Sequence, residues 1–268
     1  MAKKFDYIDT LGESLKQLFS NGKIFIPIAS FIFVNYFLNL LYIPSISSIF
    51  QGVFDFRFLI YIPIMFIVSV LFYSWFYIEI KNITDGKKIK TYKDFVKGLK
   101  KSWELIGLYI LLFLILIGVA LVLVLLLGFA FFALAINIIF GIILSIIIGI
   151  LAILITFSFG SAAMYAPVIF FTDNLSIVKT LKRTYEFFMK KKGHCIIMFL
   201  IYLAVIMVSS VIGNMFIYLA VPATEVQFLM INDPLKYVTL SIPSMIIGAT
   251  AFVWIYIFYF RTYKKFKK

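Results

Sequence analysis

Side chains able to do chemistry are scarce in the apolar segments of this 268-residue chain. Glu79 lies at the end of one such segment, where we expect it to meet a nearby lysine, and His194 and Cys195 are adjacent at the start of another. A zinc site needs about four ligands. Because His194 is the only histidine, we interpret it as a residue at the depth of lipid headgroups. The sequence predicts no catalytic set, no cofactor and no metal centre.

Uncharged polar residues within the apolar segments form a second group of candidates. Two of them, Asn35 and Asn39, are four positions apart and therefore share one face of a helix. We favour hydrogen bonds between helices, worth roughly 0.6–2 kcal/mol each in a membrane. The alternative is a polar strip along the path of a solute. The candidates for such a path are Asn35, Asn39, Asn137 and Asn214.

Two basic segments of the chain are near copies of each other. Val96–Glu104 and Val178–Glu186 are identical at five of nine positions, and their starts lie 82 residues apart. A weaker copy, Gly12–Ser20, begins 84 residues before the first of these and shares its leucine, one lysine and an aromatic position. Internal periodicity of this kind indicates a repeated structural unit. We call these segments the first, second and third copies in chain order.

Each copy is predicted to form an amphipathic helix at the membrane surface. Leu99 and Trp103 belong to one apolar stripe of the second copy, and Leu181 and Tyr185 belong to one of the third. Trp and Tyr favour headgroup depth, and each Lys or Arg near an anionic leaflet contributes about 1 kcal/mol. The candidate headgroup contacts are Lys97, Lys100, Lys101, Trp103, Lys179, Lys182, Arg183 and Tyr185.

The composition of the chain explains why its solvent must be largely lipid. Hydrophobic residues make up 63% of it and charged residues 14%, whereas soluble domains carry about 25% charged residues. A formal net charge of +13 could indicate nucleic acid binding. The basic residues, however, cluster between long apolar runs, which is typical of a membrane surface, so we predict no nucleic acid partner.

Charge also selects the number of membrane spans. Residues 105–171 contain no charged residue in 67 positions, which is roughly 100 Å of helix and too long for one crossing. If the chain turns once there, between Gly128 and Asn137, then 23 of its 25 Lys and Arg lie on the side of both termini. Cytoplasmic loops carry such an excess. The sequence therefore predicts six spans in a cell membrane, with cytoplasmic termini.

The predicted fold is an all-α polytopic transmembrane bundle of six spans in three hairpins. A cytoplasmic amphipathic interfacial helix precedes each hairpin, and the whole chain forms a single integral membrane domain. The repeat-like units are residues 1–80, 81–171 and 172–268. Prolines in or near spans free backbone groups of a helix and predict kinks. These prolines are Pro27, Pro63, Pro167 and Pro243.

Short motifs in the chain carry a family resemblance. Lys81–Gly86 followed by Phe95–Leu99 resembles a family of uncharacterised prokaryotic, mainly archaeal, six-span membrane proteins. Ala166–Ile169 and Leu181–Glu186 are similar to the membrane domain attached to some bacterial glycerophosphodiester phosphodiesterases. The resemblance implies a six-helix membrane bundle and supplies no catalytic residues. The sequence holds no counterpart of the phosphodiesterase domain, so that activity is not implied.

Three classes of function are compatible with this pattern to different degrees. We favour a non-catalytic membrane protein that interacts with lipids, organises the membrane or holds a partner. The alternative is a small-solute transporter or channel with a path between the three hairpins. An intramembrane enzyme fits least, because the spans hold no catalytic set. The expected partners are a bilayer with anionic headgroups and a membrane protein or a second copy of this chain.

Overall fold

The structure is a computed structural model that describes residues 5–50 and 55–267. Within these residues the regular elements are ten α-helices and two short 3₁₀ turns, with no strand. The α-helices are α1 (Tyr7–Ser20), α2 (Phe25–Phe50), α3 (Arg57–Thr84), α4 (Thr91–Ile136), α5 (Ile138–Ala163), α6 (Ala166–Asp173), α7 (Ile177–Lys190), α8 (Lys192–Ala220), α9 (Val226–Asn232) and α10 (Pro234–Lys267).

Six stretches of the described chain are long and apolar enough to cross a membrane, which confirms the predicted number. They make this an all-helical chain of the multi-pass membrane type. The stretches are Gly22–Leu41, Leu59–Thr84, Thr91–Ile136, Ile138–Asp173, Lys192–Ala220 and Pro234–Lys267.

The turn in the long central run lies at Asn137, at one edge of the predicted interval. Asn137 is extended (φ −148°), and its side-chain oxygen accepts a hydrogen bond from the Phe140 amide at 3.1 Å. This is the N-cap arrangement that Asn favours, and it starts α5. A side chain at Gly141 would meet the backbone of Leu134, so glycine lets the start of α5 approach the end of α4.

The three predicted interfacial helices differ in how they end. Both α1 and α7 are separate helices, terminated at Asn21 and at Lys191. The second copy, by contrast, is the first part of the continuous helix α4, so it is not a separate helix. Gly22 and Gly193 follow the ends of α1 and α7, whereas α4 continues through Gly107.

Proline acts differently in different helices. The chain leaves α5 at Met164 and Tyr165 and starts α6 with Pro167 in its first turn, as expected for a residue that cannot donate a backbone hydrogen bond. In contrast, α3 and α10 continue through Pro63 and Pro243.

The described contacts group the chain into two compact units. The first consists of Met1–Trp103 and Ile201–Lys268, and the second of Glu104–Leu200. In the first unit α10 packs against α1, α2 and α3, and α2 packs against α3. Large aromatic side chains form this core and are fully buried. They include Phe76, Tyr77, Phe258, Tyr259, Phe260 and Tyr263.

Polar contacts at one end of the first unit join distant parts of the sequence. The Trp254 indole N–H donates to the carbonyl of Leu11 at 3.2 Å, and Arg261 pairs with Glu13. Lys264 pairs with Asp85 in the loop between α3 and α4. The first helix, the end of the last helix and this loop therefore lie at the same end of the unit, as an even number of spans between the termini requires.

In the second unit α7 packs against α5 and α6. The Phe157 and Phe199 rings meet edge to face with centroids 5.7 Å apart. A side chain at Gly160 would lie 2.7 Å from the Phe199 ring, so this glycine makes room for that contact. The segment Ala166–Phe171 is buried throughout and forms the core of the unit.

Candidate membrane-interface helices

The three copies bury equivalent positions that carry small side chains. Ser14 of α1, Gly98 of α4 and Thr180 of α7 occupy the same position in the alignment, and all three are buried. A side chain at Gly98 would lie 3.0 Å from the backbone of Trp75. The Ser74 hydroxyl donates to the Gly98 carbonyl at 2.8 Å, which fixes the second copy against α3. A small residue at this position therefore allows close packing of the helix.

One turn further, each copy exposes an aromatic ring. Phe19, Trp103 and Tyr185 are equivalent in the alignment, and they are 62%, 72% and 63% exposed. In each copy the residue just before this aromatic is nevertheless buried, namely Leu18, Ser102 or Thr184. Of the predicted stripe residues, Leu99, Trp103 and Tyr185 are exposed, whereas Leu181 is half-buried. In a lipid environment such exposed aromatic side chains match the headgroup region.

The predicted basic residues surround these aromatics. In the second copy Lys97 and Lys100 are exposed and Lys101 is half-buried. In the third copy Arg183 lies 3.6 Å from Glu186, and both side chains are about 40% exposed. Lys179 and Lys182 are exposed. An ion pair this exposed contributes little to stability. The exposed basic side chains of the second and third copies are therefore accessible to headgroup phosphates.

The four candidate asparagines bond within their own helices. Asn35 donates to the Phe31 carbonyl at 2.9 Å and Asn39 to the Asn35 carbonyl at 2.8 Å. Asn137 caps α5, and the Asn214 amide lies 3.4 Å from the Ser210 hydroxyl. Hydrogen bonds between helices, which the sequence led us to favour, are thus replaced by local ones.

Two cavities in the first unit are lined by residues other than these asparagines. An aromatic cavity of about 230 Å³ lies among α2, α3, α8 and α10 and is lined by Tyr73 and Tyr202, among others. A groove of about 560 Å³ runs along α2 and α10. Neither is lined by Asn35, Asn39 or Asn214.

Glu79 does not meet a lysine as expected. Its side chain is fully buried, and one carboxyl oxygen accepts a hydrogen bond from the Trp75 indole at 2.8 Å. The backbone of α3 continues beyond Glu79 to Thr84, which places the carboxyl inside the packed end of the helix. A tryptophan four residues earlier on the same helix face is the sequence signal for this partner.

His194 is buried within the protein, and its expected position at headgroup depth stays a prediction. Its Nε2 atom lies 3.0 Å from the Tyr165 hydroxyl, in the second unit. Tyr165 is the residue at which α5 ends before Pro167, and this break brings its hydroxyl to the histidine. Cys195 beside it is buried and unpaired. No group of three or more metal-ligating side chains occurs in the described residues.

The architecture and these helices define a multi-pass helical membrane protein with basic, aromatic-bearing helix ends. No protein-family model, curated protein sequence or solved structure matches the chain. The resemblance noted from the short motifs therefore stays a prediction.

Proposed function

We propose that this protein is a non-catalytic cell-membrane protein that binds the anionic cytoplasmic leaflet through its three copies. The observation behind the proposal is the shared pattern of burial. At equivalent positions each copy buries a small residue and exposes an aromatic ring, with the lysines of the second and third copies beside it. Such a helix is fixed to the protein on one face and offers the other to lipid.

The proposal includes an orientation. The chain forms three hairpins of spans, each introduced by one copy, and both termini are cytoplasmic. The contacts of α1 and of the α3–α4 loop with the end of α10 support a common side for these basic segments. The excess of basic residues on that side supports its assignment to the cytoplasm.

A solute path receives less support. Each asparagine that would line it forms a hydrogen bond within a single helix or helix cap, and the two cavities described above are lined mainly by apolar side chains. The observations therefore favour binding of lipid at the surface over passage of a solute.

Membrane depth of the exposed aromatics tests the proposal. Trp103→Cys and Tyr185→Cys, each in a Cys195→Ser background, would be labelled with an environment-sensitive fluorophore and reconstituted with anionic or neutral lipid. In anionic vesicles we expect the label to be quenched at headgroup depth. In neutral vesicles we expect the label at a shallower position, because a neutral surface does not attract the neighbouring lysines. The control is Leu125→Cys on α4, where 74% exposure predicts acyl-chain depth in both lipids. Labels at positions 103 and 185 with the same depth in anionic and neutral vesicles would contradict the proposal.

Sided labelling tests the orientation. A cysteine introduced at Asn232, the last residue of α9, should react with an impermeant reagent only from outside the cell. A cysteine at Lys93 should react only from the cytoplasm. Reaction of both from the same side would refute the arrangement of three hairpins.

A further inference from the structure

Two lysines from distant parts of the sequence meet at a cavity of about 250 Å³ in the first unit. Lys23 follows α1, and Lys88 lies in the loop between α3 and α4. None of the six residues that line the cavity is acidic. Both lysines are exposed, and neither forms a salt bridge with a carboxylate in the described part of the chain. The residues are Ser20, Asn21, Gly22, Lys23, Lys88 and Ile89.

The backbone on both sides of this cavity is held in place. Ile24 is fully buried and Ile89 is 5% exposed, so each lysine precedes an anchored isoleucine. Asn21 donates to the Gln17 carbonyl at 2.8 Å and closes the end of α1. Gly86 adopts a left-handed conformation (φ +69°), which glycine tolerates, and turns the chain from α3 towards Lys88. The two ammonium groups are thus presented from a preformed frame.

An apolar groove begins two residues beyond Lys23. It has a volume of about 560 Å³ and follows one face of α2 from Phe25 to Phe37, with Ile242 and Ile246 of α10 on its other side. Twelve residues of helix span about 18 Å, which is close to one leaflet of a hydrocarbon core about 30 Å thick. A basic cavity at the start of a span and an apolar groove one leaflet long match the two parts of a phospholipid.

We propose that this cavity and groove bind one anionic phospholipid of the cytoplasmic leaflet. Lys23 and Lys88 hold the headgroup phosphate as point charges, and an acyl chain lies along the α2–α10 groove. A free phosphate would use the cavity alone, and the length of the groove is the reason to assign a lipid. The site rests on the proposed function, because it deepens general attraction to anionic lipid into specific binding at residues outside the three aligned copies.

Lipid retention by the purified full-length protein tests the headgroup part. Dioleoyl phosphatidylglycerol and dioleoyl phosphatidylcholine would be titrated into the protein in a neutral detergent, and bound lipid counted by native mass spectrometry. We expect Lys23→Gln/Lys88→Gln to weaken the tightest binding of phosphatidylglycerol about 25-fold, since each lysine near an anionic surface contributes a factor of about five. The matched control, Lys93→Gln/Lys190→Gln, removes the same charge from exposed positions elsewhere and should change binding less than twofold.

A second pair of variants tests the groove without altering charge. Ala29→Trp fills the groove, whereas Ile26→Trp lies on α2 outside it. We expect Ala29→Trp to reduce retention of the dioleoyl lipid at least fivefold and Ile26→Trp to leave it unchanged. Inorganic phosphate should fail to displace the lipid at concentrations equal to that of the lipid.

The outcomes separate this site from the broader proposal. The wild-type protein could prefer phosphatidylglycerol over phosphatidylcholine and lose this preference equally in both lysine double variants. That outcome would refute the site and leave general surface attraction intact. Equal retention of the two lipids by the wild-type protein would refute both. Equimolar inorganic phosphate could displace the bound lipid while Ala29→Trp has no effect on lipid retention. Together these results would refute lipid binding and assign the cavity to a free anion.

Discussion

Of the helices α4 and α10, the more apolar one is the less buried. The most apolar window of α4 has a mean hydropathy of 3.6, and none of it is buried within the protein. The corresponding window of α10 has a mean hydropathy of only 1.8, and 28% of it is buried. In a soluble protein the order would be reversed, because water drives the most apolar segments inside.

The difference follows from lipid as the solvent. Apolar side chains lose nothing by facing acyl chains, so packing between helices depends on shape, small residues and polar contacts. Residues 255–260 of α10 are buried in succession where α10 packs against α1, α2 and α3, and the Tyr77 ring of α3 contacts Tyr256 and Phe260. Residues of α4 such as Leu125 and Phe131 are more than 69% exposed. Substitutions of buried residues in α10 should therefore destabilise the protein, and substitutions of the exposed apolar residues of α4 should be tolerated.

Truncation of aromatic rings gives the largest effect expected from this contrast. Phe258→Ala removes a fully buried ring of α10 and should cost about 3–5 kcal/mol of unfolding free energy, as is usual for such a cavity. Phe131→Ala on α4 removes a ring that is 70% exposed and should cost less than about 0.5 kcal/mol. Titration with SDS in mixed micelles, followed by tryptophan fluorescence, measures both. Equal costs would show that α4 is buried in the functional assembly.

Glycine substitutions extend the comparison to helix approach. Gly98→Val places a side chain about 3.0 Å from the Trp75 backbone, which cannot yield easily, and should destabilise the protein by about 1–3 kcal/mol. At Gly118 nothing lies within 4 Å, so Gly118→Val should be close to neutral. The midpoint of thermal unfolding in detergent distinguishes the two. A neutral Gly98→Val would mean that the second copy does not pack tightly on α3.

The polar end of α10 should give the smallest effect, and one that depends on pH. Burial alone would raise the pKa of the Asp85 carboxyl, but hydrogen bonds and charge from Lys264 and Lys87 outweigh it and hold the pKa below its usual value. A depressed pKa adds stability above the unfolded value of about 3.9, and this is lost as the pH falls through the folded value.

Replacement of the lysine tests this dependence. Lys264→Ala should lower stability at pH 7 by up to about 1 kcal/mol, as for a partly exposed ion pair. The difference from wild type should shrink as the pH falls below about 4. Thermal unfolding at several pH values measures it, and Lys236→Ala on the same helix is the control. A difference that is constant across pH would exclude ionised Asp85 as the cause.

The number of spans and the position of the turn were predictable because both depend on features that are read directly from the sequence. The charge-free length of residues 105–171 and the distribution of basic residues determine how often the chain can cross a membrane. The turn at Asn137 was predictable because a helix N-cap depends on residues close in sequence. Here the Asn137 side chain accepts a hydrogen bond from the amide of Phe140, three residues later. The hairpin arrangement, the repeat and the headgroup contacts stay predictions.

Features that depend on packing were not predictable in the same way. Burial of Thr180 and Thr184 beside an exposed Tyr185 was not predicted, because the sequence does not show which face of the helix the protein covers. The partners of Glu79 and His194 depend on where α3 ends and where α5 breaks. The charges near Glu79 suggested a lysine as its partner, and the fold supplies the Trp75 indole instead.

The contacts between the first and last helices also set an order of assembly during synthesis. The Trp254–Leu11 bond joins residues 243 positions apart, and the Arg261–Glu13 pair joins residues 248 positions apart. Neither can form until α10 has been translated, and the N-terminal helix leaves the ribosome long before α10 exists. During that interval α1 lacks its main packing partner, so the first unit is completed only after α10 has been synthesised.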